Sequence, residues 1–442
     1  MIGSSPISTA IPSDSARSGE PASGRLARLA GLGQISRDTM RSLVILLVVA
    51  ALVRIAGLWS PGHGGDMFAL MTWAEDAARL GLTGYYPGGG DSNYPPMLYM
   101  LWPLGVALDG GGLALAIRTL SIPFDLALGV VLFSIARSVT GRDRDGLLAA
   151  TFYLLNPAVL MCGPIWGQVD GMAALPMVGA IVAAARGRVA TAGALAVVAG
   201  LLKPQFGIAG LVLGGLALFW LREPDGFRRA AVLAFSALVT IAVVIAPLGL
   251  GPLGYVELMA ETFGRYPYIS QYGFNPWAIF FGFGDFDGPW AVTGTLLTVA
   301  GIGASLWLLR RRRDLIGLLG VSVLIGLVLY YLPTRVHERY LFGAIACLAP
   351  LAVIDRRLRW PFIVLSAAFF VTLAYVVMTS PYRILPGPKL DELPDWAISL
   401  MSAAVTAIGA WTAVRVLGLF GIGLNSEARA AGRPEASQAV PG

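Results

Sequence analysis

The chain has 442 residues, 56% of them hydrophobic and 13% charged, with a net charge of +6 at pH 7 and a mean hydropathy of +0.71. Soluble domains carry about a quarter charged residues, so this balance excludes an ordinary soluble domain and describes a polytopic membrane protein. The positive excess reads as loop asymmetry rather than nucleic-acid affinity, since no nucleic-acid motif or aromatic-basic strip is present.

Residues 1–41 are rich in Ser, Gly, Pro and Arg with no apolar core, and read as a disordered cytoplasmic tail. Residues 421–442 read the same way. Between them, over 42–420, apolar stretches fall at 42–59, 113–136, 147–164, 171–186, 189–202, 206–221, 229–249, 290–309, 315–333, 340–354, 360–379 and 397–420. At ~20 residues per crossing, fewer where a helix ends early, they predict an all-α polytopic transmembrane bundle of about twelve spans. The basic clusters at Arg137–Asp145, Arg186–Arg188, Arg222–Arg229, Arg310–Arg313 and Arg356–Arg359 belong on the cytoplasmic side. Both termini then lie in the cytoplasm. Two large extracytoplasmic loops, 60–112 and 250–289, are expected to hold short interfacial helices. The apolar segment 97–108 is too short to span and is assigned to the first of these loops.

The first loop contains His63-Gly64-Gly65-Asp66 ahead of an amphipathic helix reaching about Leu80. Asp66 suits two roles, an N-cap and a general base at the membrane surface. Glu75 and Asp76 read as solvated charges. Pro95-Pro96 starts a further helix and leaves Tyr94 free to line a site.

Lys203 is one of two lysines, interrupts an apolar run and precedes the helix-breaking Pro204. It either snorkels to the interface or holds phosphate as a point charge. Gln168, Asp170, Gln205, His337, Glu338 and Arg339 fall on the same predicted face. Arg118 and Asp125, seven residues apart, are expected to form an ion pair, and Arg54 to snorkel. The aromatic stretch Tyr266–Trp277, containing Asn275, reads equally as an interfacial belt or a sugar cradle. Cys162 and Cys347 lie in apolar helices, which argues against a disulfide framework or metal cluster.

Arg335-Val336-His337-Glu338-Arg339-Tyr340 separates two apolar segments and holds one of only two histidines. Charge at such a depth is costly and is usually kept for function. Neighbouring cations favour neutral His337, and paired arginines suit bidentate phosphate contacts.

Gly65-Asp66, Trp73, Tyr85-Tyr86, Tyr94-Pro95-Pro96, Asn156-Pro157, Trp166-Gly167-Gln168-Val169-Asp170, Lys203-Pro204-Gln205, Phe274-Asn275-Pro276-Trp277 and His337-Glu338-Arg339-Tyr340 together resemble a bacterial mannosyltransferase family. Its members are relatives of the second mannosyltransferase of GPI-anchor synthesis, within the GT-C class of polytopic glycosyltransferases. The likeness runs from about Leu43 to Ile354. It implies an inverting transfer of a hexose, mannose favoured, from a polyprenyl-phosphate-linked donor to a lipid-linked, glycan or protein acceptor. The enzyme would sit in the bacterial plasma membrane with its site extracytoplasmic.

The catalytic carboxylate maps onto Asp66. His337, Arg339, Lys203 and Arg335 are the candidates for the donor phosphate. Tyr94, Gln168, Asp170, Gln205, Asn275 and His63 are the candidates for substrate contacts. The loop lacks the family's usual acidic pair, so no cofactor is assigned and a divalent cation stays an open alternative. The rival class is a polytopic lipid or solute transporter or flippase. Matching broken helices in both halves would mark it, and the Lys203-Pro204 break has no counterpart.

Overall fold

The computed structural model describes residues 35–381 and 390–422, and apart from 35–41 and 421–422 the expected tails lie outside them. Residues 37–41, assigned to the tail from sequence, instead open helix α1 (Arg37–Gly57), because Ser36 caps it by accepting from the Thr39 backbone N–H at 3.1 Å. Two short helices follow, α2 (Gly64–Leu80) and α3 (Pro95–Ala107). They press together so closely that a Cβ on Gly105 would stand 2.1 Å from the Ala74 carbonyl oxygen. The 97–108 segment is thus a helix laid against α2.

Helices α4 (Gly110–Thr119) and α5 (Ser121–Thr140) form one nearly continuous rod. Next come α6 (Asp143–Leu154) and α7 (Pro157–Leu160), the latter running into a π-helical turn at Met161–Ile165. The two bend by 45° at Asn156-Pro157. Pro157 cannot continue the α6 ladder, and Asn156 restarts it by accepting from the Ala158 N–H at 3.0 Å while donating to Ser366 at 2.9 Å.

The rest are α8 (Asp170–Ala185), α9 (Val189–Leu202), α10 (Ile208–Trp220), α11 (Gly226–Ile245), α12 (Pro252–Gly264), α13 (Pro276–Phe281), α14 (Trp290–Trp307), α15 (Leu315–Tyr331), α16 (Phe342–Ile354), α17 (Arg359–Thr379) and α18 (Asp395–Leu417). No strand is named among the described residues; isolated bridges join Tyr268 to Phe286 and residues 271–272 to His337.

Among the described residues six helical segments are long and apolar enough to cross a membrane, or seven if the bent α6–α7 pair is one span. The other apolar helices, α8, α9, α10, α15 and α16, are shorter. These short ones include the most enclosed: every α16 residue but Ile354 is buried. A helix apolar on all sides belongs inside a bundle, which is why α15 and α16 carry no polar face. The basic turns meet one another: Arg313 pairs with Glu223, and Arg311 donates to the Phe420 carbonyl at 3.1 Å.

Two expectations about buried charge are corrected. Arg54 does not snorkel; its Nε pairs with Asp125 at 3.1 Å, with exposures of 0% and 2%, and its Nη1 donates to the Leu154 carbonyl at 2.8 Å. Tyr153 donates to the other Asp125 oxygen at 2.6 Å. Arg118 therefore does not pair with Asp125. It lies across the α4–α5 junction and donates to the Leu58 carbonyl at 2.6 Å instead.

An Asp125→Ala change leaves Arg54 buried without its counter-charge, which costs about 3–5 kcal/mol. A clear fall in the Tm of the detergent-purified protein is expected; a Tm like that of a surface-charge control would contradict this account.

Candidate functional site

The site begins at the entry to α2. His63 caps this helix: its Nδ1 is 3.4 Å from the Asp66 backbone N–H. Asp66 is therefore not the cap that sequence allowed. Gly64 and Gly65 are helical rather than a turn, which starts the helix earlier and puts Asp66 in its first turn. The N-terminal end of the helix dipole favours negative charge at that position.

The bent α6–α7 pair supplies the next wall. The π-helical turn delivers Trp166, whose N–H donates to the Met161 carbonyl at 3.0 Å. Gly167 follows with φ +93°, and a Cβ there would meet Met67 Sδ at 2.8 Å. The Trp166 carbonyl accepts from the His63 N–H at 2.7 Å, and its indole Nε1 donates to Asp66 Oδ2 at 2.6 Å. The rings of His63 and Trp166 stack with centroids 5.0 Å apart.

The third wall is the turn between α15 and α16. Gln271 donates its backbone N–H to the Val336 carbonyl at 2.8 Å, and Arg335 donates its own to Tyr268 at 3.0 Å, so the second large loop is knitted to this turn. Arg335 adopts φ +62°. Arg339 donates to Glu338 at 2.7 Å and reaches both Asp66 oxygens at 3.4 Å. His337 sits against Tyr266 and Tyr340, ring centroids 5.4 and 5.6 Å away.

These walls enclose a cavity of about 760 Å³. Eight of the residues singled out from sequence line it: His63, Asp66, Tyr94, Gln168, Gln205, Arg335, His337 and Arg339. Three do not. Lys203, expected at the phosphate, is fully buried beneath the wall, donating to Asp170 at 3.0 Å and Gln168 at 2.6 Å. Asp170 is correspondingly an internal counter-ion, not a substrate contact. Asn275 is the N-cap of α13, accepting from the Trp277 and Ala278 N–H groups at 3.1 and 3.2 Å. Its side chain is committed to that cap, which corrects the expected sugar contact.

Arg335 does line the cavity, but its guanidinium grips Asp287 at 2.7 and 3.2 Å and the Phe263 carbonyl at 2.8 Å. It ties the two loops together and has little left for a phosphate. Trp166 was passed over as a site residue; the broken helix and Gly167 beside it are the signals that could have found it. Glu338 is the tight partner of Arg339, accepting from its Nη1 at 2.7 Å.

Burial works against charge on Asp66, but Arg339, His63 and Trp166 together overcome it and hold the carboxyl well below the usual range. Burial raises Glu338, with Arg339 opposing. Burial and then Arg339 push His337 down to about 3, so the ring is neutral near pH 7. At neutral pH the cavity floor thus carries a fixed carboxylate against a fixed guanidinium, with a neutral imidazole beside them. Arg339 holds Asp66 in its charged form, so the carboxylate becomes a better proton acceptor when an anion takes over that guanidinium. Among the described residues no group of three or more His, Cys, Asp or Glu side chains is placed to hold a metal ion.

Two outcomes are expected. The unfolded chain protonates His337 below about 6.5 while the folded chain resists until about 3, so stability falls as pH drops through that window. Tm measured from pH 7 to 4 should decline less steeply in His337→Gln; an unchanged slope would contradict burial of the neutral ring. Lys203→Met leaves Asp170 buried and unpaired and should cost about 3–5 kcal/mol. Adding Asp170→Asn should restore much of the lost Tm, and no recovery would contradict the pairing.

A family model described as glycosyltransferase family 87 matches residues 93–333, more than half of the chain. No curated protein matches. The matched stretch includes Tyr94, Trp166, Gln168 and Gln205, and it lies between the segments that carry Asp66 and Arg339. This membrane-type helical bundle, matched over more than half of its length by that model, belongs to glycosyltransferase family 87.

Proposed function

We propose that this glycosyltransferase moves a hexose, mannose favoured, from a polyprenyl-phosphate-linked donor to a hydroxyl of a lipid-linked, glycan or protein acceptor, with inversion. The observation that carries the proposal is the cavity in which the Asp66 carboxylate faces the Arg339 guanidinium, each 3.4 Å contact leaving room for exchange. The positive-inside asymmetry supports a site on the extracytoplasmic side of a bacterial plasma membrane. Lipid-linked donors suit that side, where nucleotide sugars are not expected. The likeness to relatives of the second mannosyltransferase of GPI-anchor synthesis supports mannose.

In the proposed step the acceptor oxygen attacks the anomeric carbon and its proton passes to Asp66. The bond from that carbon to the phosphate oxygen breaks on the opposite face, and polyprenyl phosphate leaves with the electron pair. Charge building on the phosphate is met by Arg339, with neutral His337 as a hydrogen-bond donor. Arg339 holds Glu338 tightly at 2.7 Å and Asp66 loosely at 3.4 Å, so the Asp66 edge is the one a phosphate would take over. Tyr94, Gln168 and Gln205 would orient the sugars, while Lys203, Asp170, Asn275 and Arg335 act as supports.

The test uses membranes holding the full-length protein, polyprenyl-phosphate tritiated mannose and a total membrane glycolipid extract. Asp66→Asn should lower transfer by roughly 100-fold or more, the range of a lost general base. Near-normal transfer by folded Asp66→Asn would refute the base. In the same series Asp66→Asn should bind polyprenyl phosphate at least as tightly as wild type, because an anion next to the phosphate has gone. Arg339→Gln should bind it more weakly, and the reverse order would refute the phosphate assignment.

A further inference from the structure

Oδ2 of Asp66 is crowded. Trp166 Nε1 donates to it at 2.6 Å, His63 Nδ1 lies 3.2 Å away, and Arg339 Nη1 reaches it at 3.4 Å. Oδ1 has one polar partner among the described residues, Arg339 Nη2 at 3.4 Å. A carboxylate with one oxygen pinned by an indole N–H cannot rotate freely, so its two oxygens are not equivalent.

The indole itself has little freedom. Trp166 is 1% exposed, stacks on His63 and holds the His63 N–H through its carbonyl at 2.7 Å. It leaves the π-helical turn immediately before left-handed Gly167. Such turns occur frequently at functional sites. From the geometry we infer that Trp166 is a positioning residue which fixes the plane of the Asp66 carboxylate and selects Oδ1 as the atom that takes the acceptor proton. The assignment rests on the reading of Asp66 as the base. A buried Trp satisfied by the nearest acceptor is the bland alternative, and it makes different kinetic predictions.

With the indole N–H removed, the carboxylate can turn toward His63 and Arg339, and the productive orientation becomes one of several. Turnover then falls while donor recognition, made by other groups, is unaffected.

The experiment compares wild type, Trp166→Phe and a protein with the sulfur isostere benzothienylalanine at position 166. The isostere keeps the bicyclic shape and the stack on His63 but has no N–H. All are assayed as full-length protein in membranes with the same tritiated donor and glycolipid extract. Both variants should lose roughly 10-fold or more in kcat, the usual weight of a hydrogen bond to a charged group, with donor KM unchanged. Wild-type kcat in the isostere would overturn the inference, as would a loss confined to KM. Normal turnover by Asp66→Asn would instead remove the base itself, so the two failures are distinguishable. If Trp166→Phe misfolds, the isostere alone decides.

Discussion

A carboxylate and a guanidinium 273 residues apart in sequence, Asp66 and Arg339, meet at the floor of one cavity. Their meeting constrains much of what surrounds them. Asp66 must sit on a helix start that tolerates negative charge, and His63 and the Gly64-Gly65 pair provide it. Arg339 must be held without being neutralised by a single tight partner, and Glu338 takes one edge of it while leaving the other loosely engaged. The second large loop is tied to the same turn through Val336 and through the Arg335–Asp287 pair.

The cost of this charge is managed in layers. Lys203 and Asp170 cancel each other beneath the cavity, and Arg54 and Asp125 cancel each other deeper in the bundle. Neither pair faces the cavity. Both are closer than the contact at the cavity: 3.0 Å for Lys203 with Asp170 and 3.1 Å for Arg54 with Asp125, against 3.4 Å for Asp66 with Arg339. Buried ion pairs are weak evidence for stability but strong evidence of where substitution will be costly.

The helical membrane class and most of the polar residues that line the cavity were legible in the sequence because both depend on local signals. Apolar length marks the helices, and basic turns mark one end of them. Rare ionisable residues between apolar runs mark the other end, and eight of the eleven residues so marked do line the cavity. The errors were of one kind: partner choice. Lys203 and Asn275 carry suitable chemistry, but their partners, Asp170 and the α13 backbone, are chosen by packing that no spacing rule describes. Arg118 and Asp125 share a helical face at seven residues' spacing, yet the junction at Leu120 and the arrival of Arg54 from α1 decide the pairing. Trp166 was missed because an aromatic beside an apolar segment normally reads as core. Its role becomes visible only when the bend at Asn156-Pro157 aims its N–H at Asp66.

The central claim, that Asp66 takes the proton of an acceptor attacking opposite to a phosphate held at Arg339, has a stereochemical consequence. The most direct measurement is the anomeric configuration of the newly formed linkage, read from the one-bond carbon–hydrogen coupling of a product made from donor labelled at the anomeric carbon. The account predicts a configuration inverted relative to the donor. A product with the donor's configuration would require an intervening displacement that this arrangement does not provide, and would contradict it.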